Sequence, residues 1–599
     1  MENTTMCALM QQTISEHGDA VALRDADNKS VLTWREYGER VEAVARGLAA
    51  RGVERGDTVA LMLTNRPEFH IVDAAVMHLG AIPYSVYNTS SAEQISYLFA
   101  NAGNRLVVCE EQFLSTARTA AEGSSVETFV CVNIDPAAAA AGQDVGGPVL
   151  SLADLETSGT DDFDFRGAWS RVSPQDVLTL IYTSGTTGPP KGVELTHANL
   201  IYVLTQLPKV LAESTGGRVI SYLPDAHIVN RFSAHYAPMM FHTTTVTLNE
   251  PKRLLEVLQQ VRPTEFVGVP MLWYRFIGSI QAGLDQQSGL KGALARWALR
   301  TGTARALATS PGRERPLRSR LPELVADRLV LARRRGQIGL DRAVSVVTGS
   351  APLDQDAMVF LFALGLPVSE AWGMSETTGV TTLNTASRPR LGTVGTPLPG
   401  TEIQVAEDGE ILVRSPALMK GYRGDPARTS ETVDSDGWIH TGDVGSVDAD
   451  GYVTIVDRKK ELIINASGKN MSPANIENVL QTACPLVAAA VAIGDRRPHV
   501  SALLVLDLEA AQAFAVQRGL DDTSVAALAV SPEVRAAVQQ GVDAANARLS
   551  RVEHIRSWTI LPHAWEPGGD ELTPTLKLRR RSITTKYAAE IERLYKTRD

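Results

Sequence analysis

The chain has 599 residues and a formal net charge of −10, with 44% hydrophobic and 21% charged residues. This length exceeds a single hydrophobic core and predicts two or more domains. The acidic balance argues against nucleic acid as a partner, because phosphate backbones favour a basic face. The four cysteines are scattered, without CxxC spacing or an adjacent histidine, so we expect neither a disulfide framework nor a zinc site.

The sequence gives no indication of a secreted or membrane-spanning protein. Its N-terminal segment lacks a basic stretch followed by an apolar one. No apolar run approaches the roughly 18–20 residues that span a bilayer. We therefore expect a cytoplasmic protein that is peripheral to the inner face of the plasma membrane at most.

Strand-like apolar runs alternate with helix-like segments through most of residues 1–456. "DTVALML" precedes "EFHIVDAAVMHLG", and "AVSVVTG" precedes "DQDAMVFLFALG". This alternation predicts α/β layers with a largely parallel sheet. From about residue 392 to 456 the pattern changes to short strands joined by Asp-Gly turns, which predicts a small β-barrel-like subdomain.

After residue 456 the chain reads as a smaller α/β unit. Ser472 and Pro473 have the residue types of a helix N-cap and first helical position, and Ile476 and Leu480 follow at helical spacing. The predicted domains are therefore 1–456 and 457–599.

The stretch "YTSGTTGPPKG" at 182–192 follows the apolar run "DVLTLI". We interpret it as a loop between a strand and a helix capped by Thr196, in which backbone N–H groups and hydroxyls converge on an anion such as phosphate. Lys191 adds a positive charge. The spacing differs from that of the nucleotide-binding P-loop, and composition alone leaves an ordinary mobile connection as an equal alternative.

Six ordered motifs resemble those of the adenylate-forming superfamily, which includes acyl-CoA synthetases, luciferases and peptide-synthetase adenylation domains. They are "YTSGTTGPPKG", "YLPDAHIVNR", "TGSAPL", "EAWGMSETTG", "WIHTGDVGSVDADGYVTIVDRKKELI" and "ELTPTLKLRRR". Three further stretches resemble the long-chain fatty acyl-CoA synthetases of bacterial type: "INASGKNMSPANIE", "TPTLKLRR" and "YNTSSAEQISYLFANAG". The resemblance implies a large N-terminal domain and a small mobile C-terminal domain.

The resemblance implies an ATP site with Mg²⁺ as cofactor. The phosphate-binding residues would be Thr183, Ser184, Gly185, Thr186, Thr187, Gly188 and Lys191. The metal would be held by Glu376 and Thr183, whose oxygen ligands suit that ion. The adenosine-binding residues would be Ser350, Ala351, Trp372, Gly373, Ser375, Asp443 and Arg458, with Trp372 against adenine and Asp443 on the ribose.

Three further roles follow from the same resemblance. Lys577 would bridge the substrate carboxylate and the α-phosphate, and His227 would lie near them. Asp457 would be the hinge between two placements of the C-terminal domain. Ser467, Gly468 and Lys469 would belong to the segment that serves coenzyme A in the second placement.

Taken singly, these residues have plainer interpretations. Glu376 and Lys577 could be solvated charges, Trp372 a core aromatic and Asp443 a turn residue. A lone histidine such as His227 is more often structural. Met271, Tyr274 and Asp225 depart from the family pattern, which leaves the acyl chain length open.

Residues 291–342 hold thirteen Lys and Arg but four Asp and Glu, a local balance of +9. Leu294, Trp297 and Leu299 are interleaved with Arg296 and Arg300. A solvated basic face is the plainer interpretation of such a segment, and contact with anionic lipid is the alternative.

The sequence thus predicts a long-chain fatty acid–CoA ligase whose partners are fatty acid, ATP and coenzyme A, and it is compatible with a homodimer. One alternative is a fatty acyl-AMP ligase that delivers its product to a carrier protein. Such relatives carry an insertion after the hinge, and "VDRKKELIINASGKN" has none. Another alternative is a catalytically silent lipid- or nucleotide-binding homologue.

Overall fold

The structure is a computed structural model that describes residues 4–135, 149–183, 189–212, 215–285, 287–308, 317–464, 470–566, 568–573 and 577–596. The predicted Ser184–Gly188 part of the phosphate loop and the predicted coenzyme A residues Ser467, Gly468 and Lys469 lie outside the described residues.

The strands are, in chain order, β1 (Val21–Asp25), β2 (Val31–Thr33), β3 (Thr58–Met62), β4 (Ile82–Ser85), β5 (Leu106–Cys109), β6 (Thr128–Cys131), β7 (Val149–Ser151), β8 (Val177–Thr183), β9 (Lys191–Thr196), β10 (Arg218–Ser221), β11 (Thr244–Thr247), β12 (Glu265–Gly268), β13 (Ser345–Thr348), β14 (Val368–Trp372), β15 (Thr382–Asn384), β16 (Thr396–Pro397), β17 (Glu402–Val405), β18 (Glu410–Arg414), β19 (Gly421–Tyr422), β20 (Ile439–Val447), β21 (Val453–Arg458), β22 (Ile463–Ile464), β23 (Asn470–Met471), β24 (Val487–Ile493), β25 (Val500–Leu506) and β26 (Ile555–Ile560).

The α-helices span Met6–His17, Trp34–Ala50, Pro67–His78, Ala92–Ala102, Glu111–Ala121, Leu152–Thr157, Phe165–Ser170, His197–Gln206, Ile228–Asn230, Ala237–Phe241, Leu254–Val261, Pro270–Asp285, Gly289–Ala308, Leu317–Ala326, Ala332–Gln337, Gln355–Ala363, Pro426–Thr432, Pro473–Ala483, Leu508–Arg518, Val525–Val530, Pro532–Asn546, Arg580–Lys586 and Ala588–Lys596. Single 3₁₀ turns span Leu207–Lys209, Pro251–Arg253 and Ser375–Thr377, and π-helical turns span Arg231–Tyr236 and Asp327–Leu331.

Three sheets build the larger part of the molecule and confirm the predicted α/β class. The eight-stranded sheet has the order β19-β9-β8-β4-β3-β5-β6-β7, and its strands from β8 to β7 are parallel. A five-stranded sheet has the order β12-β13-β14-β15-β16, and a four-stranded sheet the order β10-β11-β1-β2. Fully buried runs such as β3 are typical of parallel strands covered by helices on both faces.

The short strands after residue 392 form an antiparallel four-stranded sheet of order β17-β18-β20-β21. A separate core follows it. The sheet β24-β25-β26 and the surrounding helices enclose two apolar clusters whose members all lie between Ile463 and Tyr595. The boundary at residue 457 stays a prediction, and it falls within β21, next to the start of this core.

The local signals at two helix starts are confirmed. Thr196 accepts a hydrogen bond from Asn199 N–H and caps the helix His197–Gln206. Ser472 caps the helix Pro473–Ala483, with Pro473 at its first position. The prediction that the 182–192 loop joins a strand directly to this first helix is wrong, because β9 intervenes and pairs antiparallel with β8.

The basic segment packs through its smallest residues. In the helix Gly289–Ala308 the buried side is made of Gly292, Ala295, Ala298, Gly302 and Ala306. A Cβ atom added at Gly302 would lie 2.2 Å from the Ala363 carbonyl oxygen, so this helix approaches the helix Gln355–Ala363 closely. In the described residues, no helix combines the length and apolarity that crossing a membrane requires.

Candidate active site

A cleft of about 2550 Å³ lies between the large sheets and the C-terminal core. Single-ligand pockets have volumes of roughly 300–1,000 Å³, so this cleft has room for more than one substrate. Every predicted site residue within the described ranges lines it, namely Thr183, Lys191, His227, Ser350, Ala351, Trp372, Gly373, Ser375, Glu376, Asp443, Asp457, Arg458 and Lys577.

The two ends of the glycine-rich loop are held by the β8–β9 ladder. Thr183 and Lys191 are direct partners in its register, so the loop between them begins and ends at one point of the cleft wall. The Lys191 ammonium lies 4.7 Å from the centre of the Tyr422 ring. Desolvation lowers the pKa of Lys191, while the neighbouring Glu376 carboxylate opposes that effect. An anion at the loop would therefore meet a poorly hydrated cation.

Glu376 lies in the 3₁₀ turn Ser375–Thr377, which follows β14. Its carboxylate is buried, and Oε1 accepts a hydrogen bond of 2.8 Å from the Tyr422 hydroxyl. Oε2 accepts none from the described residues. Among the described residues, no group of three or more His, Cys, Asp and Glu side chains is arranged to hold a metal. Mg²⁺ is usually held by one or two carboxylates together with substrate phosphates, and the buried Glu376 carboxylate is a ligand of that kind.

Asp443 and Trp372 form one hydrogen-bonded unit with Arg458. The Trp372 indole N–H donates to Asp443 Oδ2 at 2.8 Å, and Arg458 Nε lies 2.8 Å from Oδ1. Asp443 and Arg458 are opposite each other on β20 and β21. Burial raises the pKa of the Asp443 carboxyl, against the opposing effects of Arg458 and Trp372. The carboxylate is thus oriented before any ligand binds.

The turn that follows β13 forms another edge of the cleft. Ser350 has a positive φ of 71°, an uncommon backbone conformation for a residue with a side chain. Strained positions of this kind cluster at ligand sites. After Trp372, a Cβ atom at Gly373 would lie 2.4 Å from the Gly379 carbonyl oxygen. Only glycine at this position allows the two backbone segments to approach so closely.

His227 is a neutral hydrogen-bonding group. Its Nδ1 accepts a hydrogen bond of 3.2 Å from Val229 N–H, which assigns the ring proton to Nε2. Burial, together with the positive charge of Lys577, lowers the pKa of His227 to about 3. At neutral pH this side chain can therefore donate one hydrogen bond into the cleft and carries no charge.

Lys577 lies on one strand of a β-hairpin. Leu572 and Leu578 form its bridge, and the backbone N–H groups of Thr573 and Lys577 bond across it to Lys577 O and Thr573 Oγ1, at 2.8 and 2.9 Å. The hairpin brings a cation from the C-terminal core into the cleft. Desolvation and the charge of Arg458 lower the pKa of Lys577, and Asp443 and Glu376 oppose them.

Asp457 lies on β21 and joins the two parts of the molecule. Its Oδ2 accepts hydrogen bonds from the Ser472 hydroxyl at 2.6 Å and from Ala474 N–H at 3.2 Å. The carboxylate therefore caps the first helix of the C-terminal core. A backbone change at Asp457 would move that helix relative to the sheet β17-β18-β20-β21.

Two features of the cleft were not predicted. The first is Tyr422, which contacts both Glu376 and Lys191, and nothing in "GYRGDP" singles it out. The second is the apolar part of the cleft lining, which includes Leu204, Leu207, Leu211, Phe232, Phe241, Leu254, Phe266 and Phe276. These residues are far apart in the sequence, and no sequence pattern indicates that they line the same cleft.

Comparison with known proteins gives two family matches and several curated relatives. The profile described as AMP-binding enzyme matches residues 10–423, and that of the AMP-binding enzyme C-terminal domain matches residues 460–599. The putative fatty-acid–CoA ligase fadD11 of Mycobacterium tuberculosis is 48% identical over 448 residues, which cover 74% of this chain and 78% of that protein. The long-chain-fatty-acid–CoA ligase FadD15 of the same species is 33% identical over 574 residues, covering 94% and 92%.

Solved structures share the fold at low sequence identity. The anthranilate CoA ligase AuaEII, in complex with anthranoyl-AMP, superposes with a TM-score of 0.74 at 17% identity, covering 98% of this chain and 99% of that one. The A domain of a carboxylic acid reductase from Segniliparus rugosus, in complex with AMP and a co-purified carboxylic acid, gives a TM-score of 0.77 at 18% identity, covering 99% and 94%.

Proposed function

Because the chain belongs to the AMP-binding enzyme family, whose two profiles match residues 10–423 and 460–599, we propose that it is a long-chain fatty acid–CoA ligase. The curated relative at 48% identity is named a putative fatty-acid–CoA ligase, and the one at 33% identity is named a long-chain-fatty-acid–CoA ligase. The observation that carries the proposal is the placement of Lys577. A cation from the C-terminal hairpin enters the cleft that also holds Glu376, Asp443, His227 and the base of the Thr183–Lys191 loop.

In the first half-reaction the fatty carboxylate attacks the α-phosphorus of ATP, and pyrophosphate leaves. Two anions approach each other, so the site must neutralise charge and align the attack. Lys577 stabilises the charge that builds up between carboxylate and α-phosphate, and the neutral His227 donates its Nε2–H to the same oxygens. Lys191 and the loop that begins at Thr183 hold the leaving phosphates. Mg²⁺ bound at Glu376 would neutralise phosphate charge.

The nucleoside is held by the opposite wall of the cleft. Asp443, already fixed by Trp372 and Arg458, accepts hydrogen bonds from the ribose hydroxyls. The Trp372 ring and the turn at Ser350 enclose the adenine. The apolar side chains of the cleft lining, Phe232 and Phe266 among them, take the acyl chain.

In the second half-reaction the thiol of coenzyme A attacks the acyl carbonyl, and AMP leaves. The hairpin that carries Lys577 occupies the cleft in the observed arrangement, which suits adenylation. A rotation about Asp457 would withdraw it and bring in the segment of Ser467, Gly468 and Lys469.

The proposal is tested by following pyrophosphate release with fatty acids of graded length, and AMP release with and without coenzyme A. We expect Lys577→Ala to lose adenylation and to retain thioester formation from supplied acyl-adenylate. The matched control is Lys209→Ala, an exposed lysine that contacts Gln206 outside the cleft. Equal loss of both half-reactions in Lys577→Ala would contradict its role. AMP release that does not depend on coenzyme A, but needs a carrier protein, would favour the acyl-AMP ligase.

We further propose that the basic segment 291–342 contacts anionic lipid at the membrane surface. Leu321 and Leu324 lie in the helix Leu317–Ala326, and Leu329 lies in the π-helical turn that follows it. Their side chains are 69%, 67% and 57% exposed. Arg328 and Arg333, beside them, form no ion pair within the described part of the chain. Exposed leucines flanked by arginines have the composition of an interfacial helix, to which each basic residue adds about 1 kcal/mol of attraction.

Vesicle flotation tests this contact. The wild-type protein should float with vesicles that contain phosphatidylglycerol and not with pure phosphatidylcholine. Replacement of Leu321, Leu324 and Leu329 by serine should abolish flotation. Replacement of the exposed Val516 and Val530 by serine, on the C-terminal core, is the control. Binding without charge dependence would contradict the proposal.

A further inference from the structure

The turn that edges the adenine side of the cleft also contacts the C-terminal core. Asn478 Nδ2 donates to the Pro352 carbonyl oxygen at 3.2 Å. Two residues further on, Asp354 Oδ2 accepts a hydrogen bond of 3.0 Å from Arg548 Nη2. The same guanidinium nitrogen lies 2.9 Å from Asp356 Oδ2. One arginine of the C-terminal core therefore meets two carboxylates at the end of this turn.

Asp354 is rigidly held and almost inaccessible to water. Its side chain is 6% exposed, and Oδ1 caps the helix Gln355–Ala363 by accepting from Asp356 N–H at 2.9 Å. Its own backbone N–H donates to the Tyr274 hydroxyl at 3.1 Å. A carboxylate in such a position loses hydration and needs a cation nearby. If the C-terminal core moved away, Asp354 would lose the Arg548 guanidinium.

Another ion pair between the same two parts is a weaker electrostatic link. Arg275 and Glu509 lie 3.1 Å apart, but their side chains are 60% and 85% exposed. Pairs that exposed contribute little, because water screens them. Arg548 is 33% exposed and faces a buried partner, so its contact with Asp354 is the stronger electrostatic link.

Arg548 also has a fixed place within the C-terminal core. It follows the helix Pro532–Asn546, and its backbone N–H bonds to Ala545 O at 3.0 Å. The core that carries this helix also carries the Lys577 hairpin. A contact at Arg548 therefore constrains where Lys577 lies.

We propose that Arg548 is a positioning residue that holds the C-terminal core over the nucleotide, and that its contact with Asp354 couples this docking to occupancy of the adenine pocket. The proposal rests on the proposed two-step ligase function. The coupling runs through the short turn from Ser350 to Asp354, of which one end lines the pocket and the other binds Arg548. Coupling between two binding events is reciprocal, so ATP strengthens docking and docking strengthens ATP binding.

The experiment separates the two half-reactions in Arg548→Ala. We expect kcat/KM for adenylation to fall roughly tenfold and the Kd of ATP to rise by a similar factor, within the usual range of such couplings. Thioester formation from supplied acyl-adenylate should keep its wild-type rate. Arg548→Lys should restore part of the loss. The control is Arg551→Ala, an exposed arginine three positions along the chain.

A double-mutant cycle with Asp354→Asn identifies the partner. Asparagine caps helices as well as aspartate does, so this variant keeps the helix start and removes the charge. If Arg548 acts through Asp354, the double variant should be no worse than Arg548→Ala alone. Additive losses, equal losses in both half-reactions, or no loss of adenylation would each overturn the proposal.

The wild-type protein distinguishes a failure of the proposed ligase function from a failure of the proposed coupling. If the wild-type protein released no pyrophosphate with any fatty acid, that function would be wrong. ATP-induced protection of residues 458–463 from hydrogen exchange would still test the coupling. Loss of this protection in Arg548→Ala, and not in Arg551→Ala, supports it, and unchanged protection overturns it.

Discussion

The Trp372 indole nitrogen lies 2.8 Å from Asp443 Oδ2 and donates a hydrogen bond to it. The aromatic residue expected beside adenine is thus hydrogen-bonded to the carboxylate expected to bind the ribose. Arg458 holds the other carboxylate oxygen, also at 2.8 Å. The residues that would contact the two halves of the nucleoside therefore form one rigid unit.

Trp372→Phe should weaken ATP binding and leave catalysis nearly intact. Phenylalanine keeps an aromatic face but cannot donate to Asp443, and hydrogen bonds to charged groups contribute about 1.5–3 kcal/mol. We expect the KM for ATP to rise at least about tenfold with a small change in kcat. Pyrophosphate release at varied ATP measures both constants.

The control for this variant is Trp169→Phe. Trp169 is half-buried in the helix Phe165–Ser170 and does not line the cleft. It should leave the KM for ATP unchanged. An unchanged KM in Trp372→Phe as well would show that the indole–carboxylate bond does not support nucleotide binding.

Tyr422→Phe should raise the Mg²⁺ concentration that adenylation requires. The hydroxyl fixes Glu376 through the 2.8 Å bond to Oε1, and loss of such an orienting partner typically costs 10–100-fold in metal affinity or activity. We expect at least about a tenfold increase in the half-saturating Mg²⁺ concentration. Tyr452→Phe, which removes a hydroxyl bonded to Arg388 O at 3.0 Å, is the control. Equal Mg²⁺ requirements in both variants would contradict this role.

His197 should make the fold sensitive to acid. Its ring is buried, Nδ1 accepts from Met6 N–H at 3.1 Å, and burial lowers its pKa to about 3, against roughly 6.5 in unfolded chains. Between these values the unfolded chain binds more protons than the native one. The free energy of unfolding therefore falls as the pH falls below 6.5, by up to about 1.4 kcal/mol per pH unit from this group.

The variant that checks this is His197→Asn, whose amide oxygen can accept from Met6 N–H without titrating. Urea unfolding between pH 6 and pH 4.5 should show a shallower pH dependence than in the wild-type protein. His563→Asn, at an exposed position, should keep the wild-type slope. The same slope in all three proteins would rule out the His197 contribution.

Much of the fold was predictable because its signals are local. Thr196 and Ser472 cap helices through hydrogen bonds within one helical turn. Residues of this kind are therefore predictable from the residues next to them in the sequence. Strand β9 was missed although Val193 and Leu195, both fully buried, alternate with Gly192 and Glu194 at the strand period of two. The loop was instead predicted to lead directly into the helix capped by Thr196, which overlooked this strand of six residues.

The sequence pattern did not indicate which small residues are buried. The helix Gly289–Ala308 turns Ala295 and Ala298 inward and leaves Leu290 and Leu307 exposed. Close contact with a neighbouring helix favours glycine and alanine there, and a hydrophobic pattern does not report it. Tyr422 and Arg548 were missed for a related reason. Each acts through a contact with a residue far away in sequence, which only the tertiary structure supplies.

Gly568→Ala should impair the placement of Lys577. Gly568 has a positive φ of 83°, and a Cβ atom there would lie 2.3 Å from Thr89 Oγ1, on the larger part of the molecule. The added methyl group would push away the segment that leads into the Lys577 hairpin. We expect adenylation to fall at least about tenfold, since displacement by about 1 Å costs on the order of a hundredfold in rate, while thioester formation from acyl-adenylate is kept.

The backbone strain of this substitution needs its own control, because alanine at positive φ is unfavourable wherever it occurs. Gly519→Ala supplies it: its φ is 71°, it lies on the same C-terminal core, and a Cβ atom there meets nothing within 4 Å. Both variants should lose similar stability, measured by urea unfolding, and only Gly568→Ala should lose adenylation. If Gly519→Ala lost adenylation equally, backbone strain and not the contact with Thr89 would account for the effect. In a Gly568→Ala/Thr89→Gly protein the Thr89 Oγ1 and Cβ atoms, which would lie 2.3 and 2.5 Å from the added methyl group, are both removed. This second substitution should restore adenylation if steric contact is the cause.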